Sequence, residues 1–509
     1  MSMPTLTRAG IDSISSPLVS FPTNAMLALP ERVVQFGTGA FLRGFVDSFI
    51  DDANRRGTFD GRVVAIGSTG SGRDRAFADQ DGLYTLVSAG EQAGLVVSER
   101  RVVGAVSRAL SAATEWDAVL DIARDPRITL VFSNTTEAGI ALDDRDQEAV
   151  RPPYSFPAKL TRFLAARATA AGYAGASLTV IPCELVEHNG DRLRALVREQ
   201  AVRWALGHRF LEWLDDTVQF CNTLVDRIVP GTPAKGAHDA LCTELGYRDE
   251  LLTVAEPYAL FVIEGDDALA SRLGFARGAP QIRVVADLQP YRERKVRILN
   301  GAHTAMAALG LLGDIATVRD AMNTPALGAL LHRLVLTEIA PVLDVPDAME
   351  FAEDVLQRFR NPYVQHRLLD IAMQSTLKFR VRLLRVLRRH METAPDAVPP
   401  ALTLAFAAQL VSAHPAERAR QRALHGTRPM DTLGDVVQAH WEQREGGTLV
   451  AFVEAVLNDD ALWEGELRVT PALVEAVADH IASLKRDGVH VAIARVLQAQ
   501  EPATYGRSA

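Results

Sequence analysis

Arg32-Val33-Val34-Gln35-Phe36-Gly37-Thr38-Gly39-Ala40-Phe41-Leu42-Arg43 is the stretch whose reading decides the fold. A short apolar run predicts a strand, two glycines predict a tight turn, and Phe41, Phe45, Phe49 and Ile50 recur at helical spacing through about Ala53. A strand, a glycine turn and a helix in this order let the backbone approach a pyrophosphate. Leu42 stands three residues after Gly39, where the full fingerprint has glycine, so the same residues also suit an ordinary strand-to-helix turn. A second strand, Arg62 to Ile66, follows at the distance a βαβ unit requires. It runs into Gly67-Ser68-Thr69-Gly70-Ser71-Gly72-Arg73, where an acidic residue would read the ribose of NAD. No acid stands there, and Ser68, Thr69 and Arg73 leave room for a 2′-phosphate, so these residues leave the choice between NAD and NADP open.

Two more predicted strands, Ile128 to Phe132 and Ser177 to Ile181, open into polar loops carrying Asn134 and Glu137, and Glu184 to Asn189. Polar groups at the carboxyl ends of successive parallel strands line the crevice where open α/β sheets bind ligands. Each of these residues also suits a turn cap. From Ala286 onward strand-like runs nearly vanish, and apolar residues follow a helical period to Leu484. The reading is an α/β domain over 1–285 followed by a mostly α-helical domain over 286–509.

Near that seam, Lys295-Val-Arg-Ile-Leu-Asn300-Gly-Ala-His303 puts an amine, an amide and an imidazole within nine residues. On a regular helix Asn300 and His303 fall roughly 140° and 80° around the axis from Lys295, so all three can face one cavity. An amine beside Arg294 and Arg297 is expected to titrate low enough to move a proton, and the amide and imidazole suit a carbonyl or alkoxide oxygen. A basic helix face with a polar pair is the bland alternative.

The chain has 509 residues, enough for two or three domains, with 48% hydrophobic and 23% charged residues. A formal charge of −9 disfavours a nucleic-acid binder. Cys183, Cys221 and Cys242 lack metal or disulfide spacing, so no metal is expected and a reducing cytoplasm fits. No leader pattern and no uninterrupted apolar run of about eighteen residues is found, so no membrane is expected. The first thirty residues read as an arm, either packed or loose.

Taken together, QFGTGAFLRGF, QDGLYTL, SNTTEAGI, PCELVEHNGDRL, NTLVDRIVPG, EPYALFVIEG, KVRILNGAHTA and RFRNPYVQHRLLDIAMQSTLKFR resemble, in order, the polyol-specific long-chain dehydrogenases of the mannitol dehydrogenase family. The resemblance implies a zinc-independent enzyme with a Rossmann-type N-terminal domain and a helical C-terminal domain. It implies Lys295 as general acid/base, Asn300 and Asn189 as the pocket for the reacting oxygen, and His303 as substrate-orienting. Asp226 and Lys378 fall on substrate positions, and Gly37, Thr38, Gly39, Phe41 and Arg43 on the cofactor turn. Polyol members carry an arginine eight residues before the Lys378 position, where this chain has Asp370; Arg367 or Arg380 is expected to replace that charge. The departure suits a carboxylated sugar. The expected activity is NAD(P)-dependent interconversion of a keto-hexuronate such as tagaturonate and its aldonate, by a monomer with a small-molecule partner. A mannitol-type polyol dehydrogenase, a fructuronate reductase and a non-catalytic dinucleotide-binding protein are the alternatives.

Overall fold

The structure, a computed structural model, describes residues 3–499 except 15, 69–71, 93–94, 137–138, 364–365, 395–396, 427–428 and 445. It divides into two units, Met1–Leu288 and Gln289–Ala509.

The first unit is built on six strands: β1 Glu31–Phe36, β2 Arg62–Gly67, β3 Val106–Ser111, β4 Leu130–Ser133, β5 Leu178–Pro182 and β6 Val218–Phe220. They pair in the order β3-β2-β1-β4-β5-β6, all parallel. Both faces are covered, which is why the strands read as continuous apolar runs. Along β1, Val33 joins a core with Phe45, Phe49 and Phe261, while Val34 and Phe36 join the opposite core with Leu160 and Phe163. This is the doubly wound Rossmann order, and its crevice lies beyond the carboxyl ends of β1 and β4, where the strand order reverses.

The helix expected from Ala40 to Ala53 is interrupted. It forms α1 Ala40–Gly44 and α2 Val46–Arg56, broken at Phe45 (φ −131°, ψ −83°). The break adjoins a close approach that only glycine permits: a Cβ on Gly44 would lie 2.7 Å from Val229 Cγ1. Two further helices matter below, α3 Phe156–Ala170 and α4 Asn189–Arg203. The amino-terminal arm packs, burying Leu6, Ile11, Val19 and Leu27 against Leu245 and Tyr247.

The second unit is helical. One continuous rod comprises α5 Gln289–Arg294, a π-helical segment Lys295–Asn300, and α6 Gly301–Leu312. Another comprises α7 Ser375–Phe379, a π-helical segment Arg380–Leu384, and α8 Arg385–Thr393. Helix α6 is buried on all sides and packs on α7 and on α9 Pro400–Ser412, as expected of a helix that is apolar all round. The two π segments pack on each other beside Gly301, where a Cβ would meet Leu383 Cδ2 at 2.8 Å. Helical residues Pro325–Val342 are long and apolar enough to pass as a membrane span, but half of that window is buried in the unit. Glu338 within it is 4% exposed and accepts the Ala401 and Leu402 N–H groups at 3.0 and 2.7 Å, capping α9.

Candidate active site

In the first unit, Phe36, Gly37, Thr38, Gly39, Ser68 and Asn134 line a cleft of about 570 Å3, with Lys159 of α3 on its wall. The turn is braced from behind. Gln35 Nε2 donates to Gly37 O at 3.2 Å, and Arg43 Nη1 to Thr38 O at 2.7 Å, while Arg43 Nε reaches Thr253 Oγ1 at 2.9 Å. Arg43 is therefore a buried strut for the turn. Burial pushes its guanidinium down from the usual arginine range. Phe41 stacks on Phe45, with ring centroids 4.9 Å apart. Gly37 holds φ +141°, and a Cβ there would meet Leu42 Cδ1 at 2.9 Å. Leu42, standing where the fingerprint has glycine, thus packs under the turn and enforces the first glycine.

The loop after β4 is held by the first polar residue of the next loop, which the sequence marks as polar without a particular role. Glu184, 2% exposed, accepts the Thr135 N–H at 2.9 Å and the Ser133 hydroxyl at 3.1 Å. Burial raises its pKa, and those hydrogen bonds oppose the rise. Asn134 Nδ2 donates to Cys183 O at 2.9 Å, tying the same loop to β5. Thr69 and Glu137 lie outside the described residues.

Asn189, expected beside the reacting oxygen, has its amide engaged within the first unit. It is 1% exposed; Nδ2 is shared among Pro182 O, Glu184 O and Thr223 Oγ1 at 2.9–3.1 Å, and Oδ1 accepts from the Gly190 and Thr223 N–H groups, both at 2.9 Å. Its visible work is to pin α4 to β5 and to the strand Thr223–Asp226. Asp226 ends that strand opposite Leu260 and is 4% exposed.

In the second unit, the helix carrying Lys295 and Asn300 is not regular. The Gly301 N–H bonds Val296 O, five residues back, as a π turn requires. A π turn holds about 4.4 residues, so Asn300 falls about 50° around the axis from Lys295 rather than about 140° and is drawn toward the Lys295 face. His303 follows one turn later, 8% exposed, its ring 4.5 Å from Phe359 and 5.0 Å from His366. Burial, aided by Lys378, holds the His366 pKa below the usual histidine value. His366 is therefore neutral at pH 7.

The cations expected to crowd Lys295 have partners of their own. Arg297 pairs with Glu293 at 3.1 Å, and Arg294 donates to Pro346 O at 2.9 Å and lies over the Phe351 ring. Lys378 Nζ donates to Ile371 O at 2.9 Å, and burial, then Arg382, lower its pKa. Helix α7, which carries it, is anchored by Asp431, which accepts the Thr376 N–H at 3.1 Å and the Ser375 and Thr376 hydroxyls. The two arginines expected to replace the missing charge differ in their surroundings. Arg367 is exposed, bridged by its backbone to Thr317, and Arg380 is paired with Glu464 at 2.9 Å. The guanidinium beside Asn300 is that of Arg382, whose Nη1 donates to Asn300 O at 3.2 Å and to Thr304 Oγ1 at 3.0 Å.

Residues 31–276 match the family model described as the mannitol dehydrogenase Rossmann domain, and 287–485 match the mannitol dehydrogenase C-terminal domain. The altronate oxidoreductase of Bacillus subtilis (strain 168) is 39% identical over 470 residues, 91% of this chain and 95% of that protein. The altronate oxidoreductase of Klebsiella pneumoniae (strain 342) is 40% identical over 469 residues, 91% of this chain and 96% of that one. Among solved structures, a D-sorbitol dehydrogenase in substrate-free form is similar with a TM-score of 0.78 at 24% identity, covering 96% of this chain and 100% of that one. Pseudomonas fluorescens mannitol 2-dehydrogenase, in ternary complex with NAD and D-mannitol, gives 0.67 at 22% identity, covering 97% and 100%. A glycine turn on a Rossmann sheet and a helical unit carrying Lys295, Asn300 and His303 thus come with matches across nearly the whole chain, and the protein belongs to the mannitol dehydrogenase family.

Proposed function

We propose that this protein is an NAD-dependent oxidoreductase that interconverts a keto-hexuronate, tagaturonate in the first instance, and its aldonate, altronate. The observation that carries the chemistry is the π-helical segment Lys295–Asn300, whose wider turn brings Asn300 toward the Lys295 face, with His303 one turn on. The altronate oxidoreductase relatives, near 40% identity over nine-tenths of the chain, support the substrate class.

The glycine turn fits a nicotinamide dinucleotide on its own geometry. A Cβ on Gly39 would meet no protein atom within 4 Å, so packing does not require glycine there, whereas a pyrophosphate against the backbone does. Gly37, Thr38, Gly39, Ser68 and Asn134 are the residues that would hold it. Gly39→Val is accordingly expected to leave thermal stability unchanged and raise the KM for NADH about tenfold to a hundredfold. A fall in melting temperature with an unaltered cofactor KM would argue against this role.

When bound, NADH supplies hydride to the ketone carbon. Charge then develops on the ketone oxygen, where the Asn300 amide, which takes no partner among the described residues, donates a hydrogen bond. Protonated Lys295 delivers the proton that completes the alcohol, and the reverse reaction begins with Lys295 taking it back. His303, wedged between Phe359 and His366, orients a substrate hydroxyl.

The test is reduced-nicotinamide absorbance with purified protein and tagaturonate, fructuronate and fructose, each against NADH and NADPH. Tagaturonate is expected to give the highest kcat/KM. Fructose as best substrate would move the protein to polyol chemistry, and silence throughout would favour a non-catalytic dinucleotide binder. Both cofactors belong in the assay because Ser68 and Arg73 line the cleft, which suits a 2′-phosphate, while the Asp74 carboxylate stands over Gly67 at the end of β2, which suits a ribose hydroxyl.

A further inference from the structure

We propose that the Arg382 guanidinium binds the carboxylate of the sugar-acid substrate and thereby sets the preference for a keto-hexuronate over an uncharged ketose. The inference rests on the substrate reading above and assigns its charge recognition to one residue.

Arg382 lies in the π-helical segment that packs on the Lys295–Asn300 turn. Its Nη1 is held by Asn300 O and Thr304 Oγ1, while Nε and Nη2 have no partner among the described residues. Its neighbours differ. Arg297 and Arg385 share Glu293, Arg380 has Glu464, and Arg388 has Glu392. Among the described residues only carbonyl and hydroxyl oxygens meet Arg382, and no carboxylate pairs with it. A guanidinium withdrawn from water without a counter-charge is costly unless an anion completes it.

Lys378, one helical turn earlier, adds to the same imbalance, and each of the two cations has its pKa lowered by burial, Arg382 to about 10. Arg382 still carries its charge at neutral pH. An anionic ligand therefore finds two cations lacking full compensation, one of them a planar fork whose free Nε–Nη2 edge matches a carboxylate. Position completes the argument. A keto-hexuronate carries its ketone and its carboxylate on one six-carbon chain, and the residue proposed to meet the ketone oxygen, Asn300, is hydrogen-bonded to Arg382 itself. One substrate molecule can thus satisfy both.

The experiment compares wild type, Arg382→Gln and Arg382→Lys with tagaturonate and fructose, and measures altronate binding to the NAD-loaded proteins by calorimetry. Glutamine keeps a donor for Asn300 O but removes the charge. The expected result is a roughly hundredfold fall in the ratio of kcat/KM for tagaturonate over fructose in Arg382→Gln, carried mainly by KM, as befits a lost charge-assisted pair. Altronate affinity should fall by a similar factor, with Arg382→Lys recovering part of both losses. An unchanged ratio and unchanged altronate affinity overturn the inference. So does an equal fall with both substrates together with a lower melting temperature, which would make Arg382 a brace for the Asn300 carbonyl and nothing more. A wild-type enzyme that prefers fructose overturns the substrate reading itself, and that outcome is read without any variant.

Discussion

Lys295→Ala should lower turnover about a hundredfold to ten-thousandfold while NADH binding, followed by its fluorescence, stays near wild type. The size follows from the work assigned to the amine. A positioned general acid contributes roughly 10²–10⁴ in rate, and no second donor of comparable strength lies on this turn, since Arg297 is paired with Glu293 and a guanidinium does not release its proton. The cofactor should be indifferent because its turn, strand ends and struts all belong to the first unit. Lys295→Arg separates charge from proton transfer. It should restore electrostatic help to the developing oxyanion without restoring turnover, whereas a merely structural lysine would be replaced well by arginine. Turnover of Lys295→Ala within a few-fold of wild type would remove the acid/base assignment. The nearby Asn300 would then have to carry the catalysis through hydrogen bonding alone.

How far this site could be read from the chain alone differs residue by residue. The Rossmann sheet was legible because a buried parallel strand writes itself as an unbroken apolar run and a glycine turn marks its end, as Val33 to Gly39 do. The trio Lys295, Asn300 and His303 was legible as chemistry but not as geometry. A regular helix separates Lys295 from Asn300 by about 140°, and the π turn that corrects this accompanies a tertiary contact, Gly301 against Leu383, which no local pattern announces.

Arg382 was hidden for a different reason. It sits in Arg380-Val-Arg382-Leu-Leu-Arg385, and which of these arginines lacks a carboxylate depends on Glu293 and Glu464, which come from distant elements. Asn189 shows the converse. Its place in a motif suggests a role at the substrate, and the fold adds a structural one that no motif announces, four of its five hydrogen-bonding contacts going to backbone and one to the Thr223 hydroxyl. Asp47 escaped because the face of α2 that looks polar in sequence is covered in the fold by Tyr84 and Gln35.

That covered carboxyl carries the second large expectation: Asp47→Asn should stabilise the first unit at pH 8 by ~4 kcal/mol and have no such effect near pH 4. Asp47 is fully buried, and burial pushes its pKa up to about 7 against opposing hydrogen bonds from Gln35 and Tyr84 and the attraction of Arg43. A carboxyl whose folded pKa exceeds its unfolded value keeps its proton more tightly in the native state. Its stabilising contribution is therefore complete at low pH and is lost as pH rises from about 4 through about 7. Asparagine has the same shape and never ionises. Its added N–H groups also offer a donor to Gln35 Oε1, which is buried without a partner, as is Asp47 Oδ1. Urea unfolding of both proteins at pH 4 and pH 8 measures the effect as a difference of differences, so other buried acids such as Asp249 cancel. Parallel pH dependence in the two proteins would mean that Asp47 stays paired or solvated throughout. The consequence reaches the cofactor, because Gln35 Nε2 donates both to Asp47 Oδ2 at 3.4 Å and to Gly37 O at 3.2 Å. Ionising Asp47 draws that amide toward the new charge and loosens its hold on the turn. Wild type should then lose NADH affinity above pH 7 more steeply than Asp47→Asn, a second readout that a purely global change in stability would not produce.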